Sequence, residues 1–278
     1  MPHPATCSAR PTATLPDTWT ETLTSARGVA YQISVAMPKG AAPERGFPVV
    51  YLLDAGASFA TVVETHRRLS RRPDATGVGP AIIVGIGHDT RALYDTPARQ
   101  RDFTPASAAN ADQPGSGAKE FLDFIQTRVQ PQIREEFAVD PERQILAGHS
   151  LAGFFALWVL ANQPDAFQGY IVLSPSLWWA PDILEQLTAH PELPDLCSVY
   201  LAVGEWEEAL APWQLGQPGS DDILQRRLQR RMVSNVQECG RRLATKLPPE
   251  RLLCHTFPDE DHASVFAIGI SKGMRMML

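Results

Sequence analysis

The amino-acid sequence predicts one α/β domain built on a mostly parallel central sheet with helices on both faces. Three observations carry the prediction: apolar runs without polar alternation, helical stretches between those runs, and a length of 278 residues that suits one such domain. The runs FPVVYLL at 47–53 and AIIVGI at 81–86 are typical of strands buried on both faces. Since these strands alternate with helices along most of the chain, the connections place helices on both sides of a parallel sheet.

Each predicted strand is a short apolar run bounded by turn residues, and the strands cover 29–37, 47–53, 81–86, 144–147, 170–173, 199–203 and 252–257. The predicted helices cover 118–137, 152–162, 182–188, 221–246 and 263–274. Residues 1–20 are rich in Pro, Thr and Ala and are expected to form a flexible N-terminal extension, with the α/β domain over 21–278.

Two stretches interrupt the alternation of strands and helices, 91–117 and 208–220. Both contain prolines and both follow a predicted strand. Loops of this length in a compact domain are usually functional, and these two are expected at the sheet edge where open α/β folds bind ligands.

The charge balance and the cysteines exclude several classes of function. With 25 Lys+Arg against 31 Asp+Glu, the net charge of −6 gives no overall basic field for nucleic acid or an anionic membrane surface. The longest charge-free stretch, 144–164, contains polar residues and glycines, so no membrane-spanning segment is expected. The four cysteines have no C-x-x-C spacing, which predicts neither a zinc site nor a redox pair.

The N-terminus lacks the apolar run of a signal peptide, which favours a cytoplasmic protein, or a periplasmic one if an export signal has been removed.

The string GHSLA at 148–152 predicts a nucleophilic serine, Ser150, between a strand and an apolar helix. Small residues are needed on both sides because such a serine occupies a strained turn, where flanking side chains would collide. The pattern departs from G-x-S-x-G at Ala152, and the glycine follows at Gly153. The alternative is that Ser150 only caps a helix. The same loose pattern at 56–60, after another strand, shows that the motif alone is not decisive.

A nucleophilic serine needs a base, and the chain order Ser, acid, His applies to α/β hydrolases. His262 follows the last predicted strand on a loop and is the first candidate for the base. His255 lies inside that strand, where packing would hold it, and is the second candidate. For either histidine the alternative is a structural role.

The acid is expected after the strand 199–203, where three carboxylates compete. Glu207 is the first choice because it stands three residues after Gly204, Glu205 is the second, and Glu208 is the third member of this group. A solvated loop is the alternative for each. Asp259 and Asp261 are disfavoured because they neighbour His262 in sequence.

An oxyanion hole needs the backbone N–H that follows the nucleophile, which is that of Leu151, and a second N–H from the loop after an early strand. The turn Asp54-Ala55-Gly56 is in that position. The alternative is that it forms a turn and nothing more.

With these elements placed, residues 29–274 resemble the esterase-D-like branch of the α/β hydrolases, and in particular the trilactone siderophore esterases that open enterobactin or salmochelin. The strings that carry the resemblance are YLLD at 51–54, RDFTP at 101–105, GHSLAG at 148–153, SPSLWW at 174–179, VGEWE at 203–207 and DH at 261–262. Members of the family commonly have Gly where this chain has Ala55.

The resemblance implies an α/β-hydrolase fold with Ser150 as nucleophile and His262 as base. It also implies that the N–H groups of Gly56 and Leu151 form the oxyanion hole. Arg101 and Trp178 or Trp179 are implied near the substrate.

The leading hypothesis is therefore a serine esterase that cleaves a small-molecule carboxylic ester, with a trilactone siderophore, in its ferric form or not, as the first candidate substrate. No metal or organic cofactor is implied, and no nucleic-acid partner is expected. The alternatives are a general carboxylesterase or thioesterase, and a hydrolase-like scaffold that only binds a ligand. The helix 221–246 carries six arginines that face either an anionic ligand or solvent. Trp206 and Trp213 are further candidates for the pocket.

Overall fold

The computed structural model describes residues 14–90, 92–105, 117–189 and 193–278. One sheet of eight strands in the order β1-β2-β4-β3-β5-β6-β7-β8 forms its centre. The strands are β1 Thr18–Thr24, β2 Ala30–Ala36, β3 Phe47–Leu53, β4 Ile82–His88, β5 Val139–His149, β6 Gly169–Leu173, β7 Ser198–Gly204 and β8 Leu252–Phe257. β1 pairs antiparallel with β2, and β2 antiparallel with β4, whereas the pairs from β4 to β8 are all parallel. The predicted fold class is confirmed.

Helices of the described chain lie on both faces of this sheet. They are α1 Ala55–Ser70, α2 Pro73–Thr76, α3 Thr96–Phe103, α4 Ala118–Phe124, α5 Gln130–Glu136, α6 Leu151–Asn162, α7 Ile183–Ala189, α8 Ser220–Arg230, α9 Met232–Leu243 and α10 Val265–Met277. A π-helical turn, Ile125–Val129, makes α4 and α5 continuous, and 3₁₀ turns lie at Pro164–Ala166, Leu177–Trp179, Glu205–Glu207, Pro212–Gln214 and Pro249–Arg251.

The core consists of two apolar layers that the sheet separates. Tyr51 on β3 belongs to one layer, which also contains Phe154 of α6 and Val236 of α9. Its neighbour Leu52 belongs to the other layer, with Ile270 of α10. Alternate residues of one strand point to opposite faces, so a strand with both faces covered must be apolar throughout. This is why the unbroken run 47–53 predicts the strand with its observed bounds.

Several elements differ from the sequence prediction. The stretch 91–117 is not a loop throughout, because α3 forms within it and Asp95 caps α3 by accepting a hydrogen bond from the Ala98 N–H at 3.0 Å; residues 91 and 106–116 lie outside the described residues. The predicted helix 221–246 is two helices, since Arg231 takes a left-handed φ of 50° between α8 and α9. Helix α1 was not predicted.

The N-terminal part of the chain contributes to the sheet as β1, which begins at Thr18, inside the segment 1–20 predicted as an extension. Residues 1–13, and with them Cys7, lie outside the described residues. No helix in the described ranges is both long and apolar enough to span a bilayer.

The parallel half of the sheet brings four chain segments to one edge. His149 at the end of β5 pairs with Leu173 at the end of β6, and Gly204 at the end of β7 pairs with Phe257 at the end of β8. Because parallel strands all end at the same edge, the loops that follow them meet there.

Candidate active site

Ser150 lies in the sharp turn between β5 and α6, with a φ of 60° and a ψ of −120°. A non-glycine residue at positive φ costs on the order of 1–3 kcal/mol and persists only where its surroundings hold it. Here the Ser150 N–H donates to Leu173 O at 2.9 Å, and Ser150 O accepts from Ser176 N–H at 3.1 Å and Phe154 N–H at 2.9 Å. The turn is therefore fixed by β6 and by the first turn of α6.

The small residues around Ser150 are required by close backbone contacts. A Cβ at Gly148 would lie 2.4 Å from Ala152 O, and one at Gly153 would lie 3.0 Å from Leu173 O. Position 152 itself accepts an alanine, which is fully buried. The structure thus explains the glycines at 148 and 153 of the string GHSLAG.

Glu207 and His262 form a hydrogen-bonded pair beside this turn. Glu207 lies in the 3₁₀ turn after β7, is 4% exposed, and places Oε2 2.5 Å from His262 Nδ1. Its Oε1 accepts from Ser174 Oγ at 2.5 Å and from the Gly204 N–H at 2.8 Å. These contacts fix the position of the Glu207 carboxylate, which in turn orients the His262 imidazole.

The other candidate acids and the other candidate base have different partners. Glu205 is exposed and accepts from the Asp259 N–H at 3.2 Å. Glu208 accepts from the N–H of Ser234 at 2.7 Å and from its Oγ at 2.6 Å, close to the start of α9. His255 lies 3.1 Å from Tyr200 OH through Nδ1. Of the sequence candidates, the structure brings only Glu207 to His262.

Ser150 and His262 line one cavity of about 180 Å³ at this edge of the sheet. The remaining lining residues are Ser176, Trp178, Trp206, Glu207, Arg227, Arg230 and Met232. Ser176 Oγ is 3.4 Å from Ser150 Oγ. The cavity thus combines a serine, a carboxylate-bound histidine, two indole rings and two guanidinium groups.

His149, which precedes Ser150, packs beneath His262 with their ring centroids 4.6 Å apart. Phe266 of α10 lies on it edge to face at 5.7 Å. Burial, followed by the nearby charge of His262, lowers the pKa of His149 to about 3. His149 is therefore neutral at physiological pH, and its Nε2 is buried without a partner in the described chain.

The residues that the resemblance implies near the substrate, Arg101, Trp178 and Trp179, do not all line the Ser150 cavity. Trp178 lines the Ser150 cavity, whereas Trp179 packs edge to face on Trp178 at 5.7 Å and does not line it. Arg101 does not line that cavity either. It is bound by Asp102 through two hydrogen bonds of 2.6 and 2.8 Å, and it lines a separate cavity with Tyr31.

The predicted oxyanion donors are at the starts of two helices. Leu151 is the first residue of α6, where an N–H has no acceptor within the helix. Gly56 lies in the first turn of α1 and lines a cavity with His88, which is not the cavity of Ser150. The described contacts do not bring Gly56 to Ser150.

Sequence reasoning missed Ser174 and Ser176 as site residues, although the string SPSLWW contains both. Ser174 has a left-handed φ of 43° and is fully buried, which aims its hydroxyl at Glu207. Polar residues directly after a buried parallel strand were the available signal. In the described ranges no group of three or more His, Cys, Asp or Glu is arranged to hold a metal ion.

A serine in a strained strand-to-helix turn, with a carboxylate-bound histidine on loops of the same sheet edge, defines the class of the α/β hydrolases. A family model described as "Putative esterase" matches residues 24–236. The chain belongs to this esterase family, and the prediction of a carboxylic ester hydrolase is confirmed.

Curated relatives agree with this assignment. The chain is 36% identical to the ferri-bacillibactin esterase of Bacillus subtilis over 266 residues, which cover 89% of this chain and 84% of the relative. It is 32% identical to the siderophore triacetylfusarinine C esterase of Aspergillus fumigatus over 287 residues, which cover 96% and 95%. These names confirm the resemblance to the siderophore esterase branch.

Solved structures give the same fold over nearly the whole chain. The siderophore hydrolase EstB from Aspergillus nidulans matches with a TM-score of 0.85 and 27% identity, and the match covers 98% of each chain. The BES protein from Bacillus cereus matches with a TM-score of 0.80 and 32% identity, also over 98% of each chain.

Proposed function

We propose that this chain is a serine esterase that hydrolyses the ester bonds of a trilactone siderophore of the enterobactin or salmochelin type. The observation that carries the serine chemistry is the Glu207–His262 hydrogen bond of 2.5 Å in the cavity that Ser150 also lines. The names of the relatives support a siderophore as the substrate. These relatives are named as esterases of ferri-bacillibactin, triacetylfusarinine C, enterobactin and apo-salmochelin.

In the proposed reaction Ser150 Oγ attacks the ester carbonyl while His262 Nε2 takes the hydroxyl proton. Glu207 holds Nδ1 and stabilises the imidazolium that forms. His262 returns the proton to the alkoxide as the C–O bond breaks, which releases the alcohol and leaves an acyl group on Ser150. Water, activated by His262, then attacks this acyl group, and the acid leaves with Ser150 restored.

The negative oxygen of each tetrahedral intermediate needs backbone donors. We assign the first to the Leu151 N–H, which follows the nucleophile at the start of α6. Gly56 stays our proposal for the second donor, supported by its place at the start of α1, directly after β3. We also keep Arg101 as a proposed substrate-binding residue, supported by the resemblance, although it lines a cavity with Tyr31 and not the cavity of Ser150.

The decisive experiment compares purified enzyme on ferric enterobactin, salmochelin and p-nitrophenyl esters. We expect a higher kcat/KM for a trilactone, with linear products of ring opening identified by mass spectrometry. A p-nitrophenyl ester or a thioester cleaved faster than every trilactone would overturn the substrate and favour a general carboxylesterase or thioesterase.

A second arm separates catalysis from mere binding. Ser150→Ala should abolish hydrolysis of every ester, and a fluorophosphonate should label the wild type at Ser150 and leave Ser150→Ala unlabelled. Ser8, outside the described residues, and Ser198 at the start of β7 are not expected to be labelled. Turnover by Ser150→Ala within tenfold of the wild type, or an unlabelled wild type, would contradict the proposal.

We also propose that the esterase acts in the cytoplasm, as the sequence predicts, and that a ferric siderophore is its partner there. The three described cysteines are unpaired, which fits a reducing compartment. Fractionation of the native host with a periplasmic marker tests the location, and recovery of the esterase with that marker would contradict it.

A further inference from the structure

Two arginines of α8 form one wall of the Ser150 cavity. Arg227 and Arg230 are three residues apart, so they share one face of the helix. The Arg230 guanidinium lies 4.7 Å from the centroid of the Trp178 ring, a cation–π contact inside the cavity lining. Arg227 Nη1 donates to Gln214 Oε1 at 2.8 Å and to Ala209 O. Both guanidinium groups are thus positioned by neutral partners.

Within the described chain no ion pair joins either guanidinium to a carboxylate, in contrast to the arginines of α9. Arg241 and Arg242 both pair with Glu238, at 2.7 Å. Of the six arginines only Arg227, which is half-buried, and Arg230, which is exposed like Arg226 and Arg231, line the cavity. A solvated position thus applies to Arg226 and Arg231, and a ligand-facing position stays a prediction for Arg227 and Arg230.

Two carboxylates close to this wall, Glu207 in the cavity lining and Asp261, which interacts with Arg227, are already engaged. Glu207 is bound by His262, Ser174 and the Gly204 N–H. Asp261, whose pKa the backbone donor Ser264 lowers most and Arg227 lowers further, accepts from the N–H groups of Ala263 and Ser264 through Oδ1. The cavity therefore offers two positive charges to whatever enters it.

A cavity wall with two guanidinium groups can distinguish the ferric form of a catecholate siderophore from its metal-free form. A catechol that binds iron has lost its protons, so a ferric catecholate siderophore is anionic, whereas its metal-free form is neutral at the same rings. The ester bonds are identical in both forms, and only the charge near a guanidinium differs. We propose that Arg227 and Arg230 are specificity-determining residues that make the enzyme prefer the anionic, iron-loaded siderophore ester over the metal-free one. This inference rests on the proposed function.

The first test measures kcat/KM for ferric and metal-free enterobactin with the wild type and the double variant Arg227→Gln/Arg230→Gln. We expect the wild type to prefer the ferric form, and the double variant to lose roughly tenfold or more of that preference, mainly through KM. Arg227→Lys/Arg230→Lys keeps the charge and should retain most of the preference. Arg241→Gln, on the outer face of α9, is the matched control and should leave both rates unchanged.

The second test uses two small esters of equal chain length, the mono-p-nitrophenyl ester of adipic acid, which ends in a carboxylate, and p-nitrophenyl hexanoate, which ends in a methyl group. The ratio of their kcat/KM values should fall in Arg227→Gln/Arg230→Gln and should fall with added salt in the wild type. Retention of both preferences by the folded double variant, verified by circular dichroism, would overturn the inference. If the wild type cleaves neither form of enterobactin, the proposed function fails, whereas the adipate ratio still decides whether these arginines select an anion.

Discussion

Ser150 and His149 are neighbours in sequence but have different surroundings. Ser150 faces the cavity, whereas His149 is held under the His262 ring at 4.6 Å. A charged His149 would repel the imidazolium that the proposed mechanism forms on His262. Burial prevents this, because it lowers the pKa of His149 to about 3.

The lowered pKa of His149 has a consequence for stability. The unfolded chain binds a proton on this residue near pH 6.5 and the folded chain only near pH 3, so stability is complete above 6.5 and falls with decreasing pH. His66, whose pKa burial also lowers, adds to the same trend. We expect wild-type protein to lose about 2 kcal/mol more than His149→Gln between pH 7.5 and pH 5. Urea unfolding at both pH values measures this, and equal pH dependence in the two proteins would contradict it.

Glu207 allows a second prediction at the scale of one side chain. Glu207→Gln keeps the size but removes the charge beside His262 Nδ1, so kcat should fall by about 10⁴-fold while Ser150→Ala loses about 10⁶-fold. Glu205→Gln is the matched control, since the exposed Glu205 contacts only the Asp259 N–H among its described hydrogen bonds. A larger loss from Glu205→Gln than from Glu207→Gln would reverse the assignment of the acid.

At the scale of elements, the site depends on how closely the loops after β7 and β8 approach each other. A Cβ at Gly204 would lie 2.4 Å from Glu260 O, and Trp206 N–H donates to the same oxygen at 3.0 Å. The glycine therefore permits the contact that brings Glu207 to His262. The need for glycine at position 204 thus comes from a contact between segments far apart in sequence. Glu207 and His262, which these segments carry, are 55 residues apart.

Gly204→Ala should separate these loops and should lower both stability and activity, with a stability loss of about 1–3 kcal/mol from overpacking. Gly79→Ala is the matched control, because its Cβ would meet Leu278 O at an ordinary 3.5 Å. Thermal unfolding and ester hydrolysis measure the two effects. An active Gly204→Ala protein with unchanged Tm would show that the loop contact is dispensable.

At the scale of the whole molecule, Asp102 joins three elements on the side of the sheet away from β8. Its Oδ2 accepts from Tyr31 OH of β2 at 2.9 Å and lies 2.9 Å from His88 Nε2 of β4, and Arg101 of α3 pairs with both oxygens. Burial opposes ionisation, but these contacts outweigh it and keep the pKa of Asp102 below its ordinary value. Arg101 thus has a structural partner in addition to the substrate role that the resemblance implies.

Asp102→Asn should lower the free energy of unfolding by about 3 kcal/mol, because it leaves Arg101 and His88 without their buried carboxylate. The surface pair Lys119–Asp123 supplies the control, and Asp123→Asn should change stability by less than about 0.5 kcal/mol. Chemical unfolding of both variants gives the comparison. Equal effects would show that the Asp102 network is no stronger than a surface pair.

The sequence predicts the interior strands of the parallel part well, because a strand covered on both faces must be apolar throughout, as the run 47–53 illustrates by its agreement with β3, which is buried at every position. It does not predict β1, whose exposed edge position leaves a polar run, TWTETLT. Helix α1 was missed because a turn signal, Asp54-Ala55-Gly56, stands at its start.

The site was predictable where local sequence determines geometry, as in the turn at Ser150. Contacts between distant segments were not predictable. Ser174 reaches Glu207 across 33 residues of sequence, and no local pattern specifies that distance. The arginines show the same limit, since the cation–π contact of Arg230 with Trp178 arises only when α8 lies against the loop after β6.

Helix α8 is bounded by Gly219 with a φ of 81° and by Arg231 with a φ of 50°, and Ser220 is its only buried residue in the described chain. Its connection to the core is thus limited to a few side chains, in contrast to α6, which is buried along nearly its whole length. A segment attached in this way can accumulate replacements without disturbing the strands that hold Ser150, Glu207 and His262. Substitutions in α8 therefore alter the cavity wall that carries Arg227 and Arg230, while the strands keep the reacting groups in place.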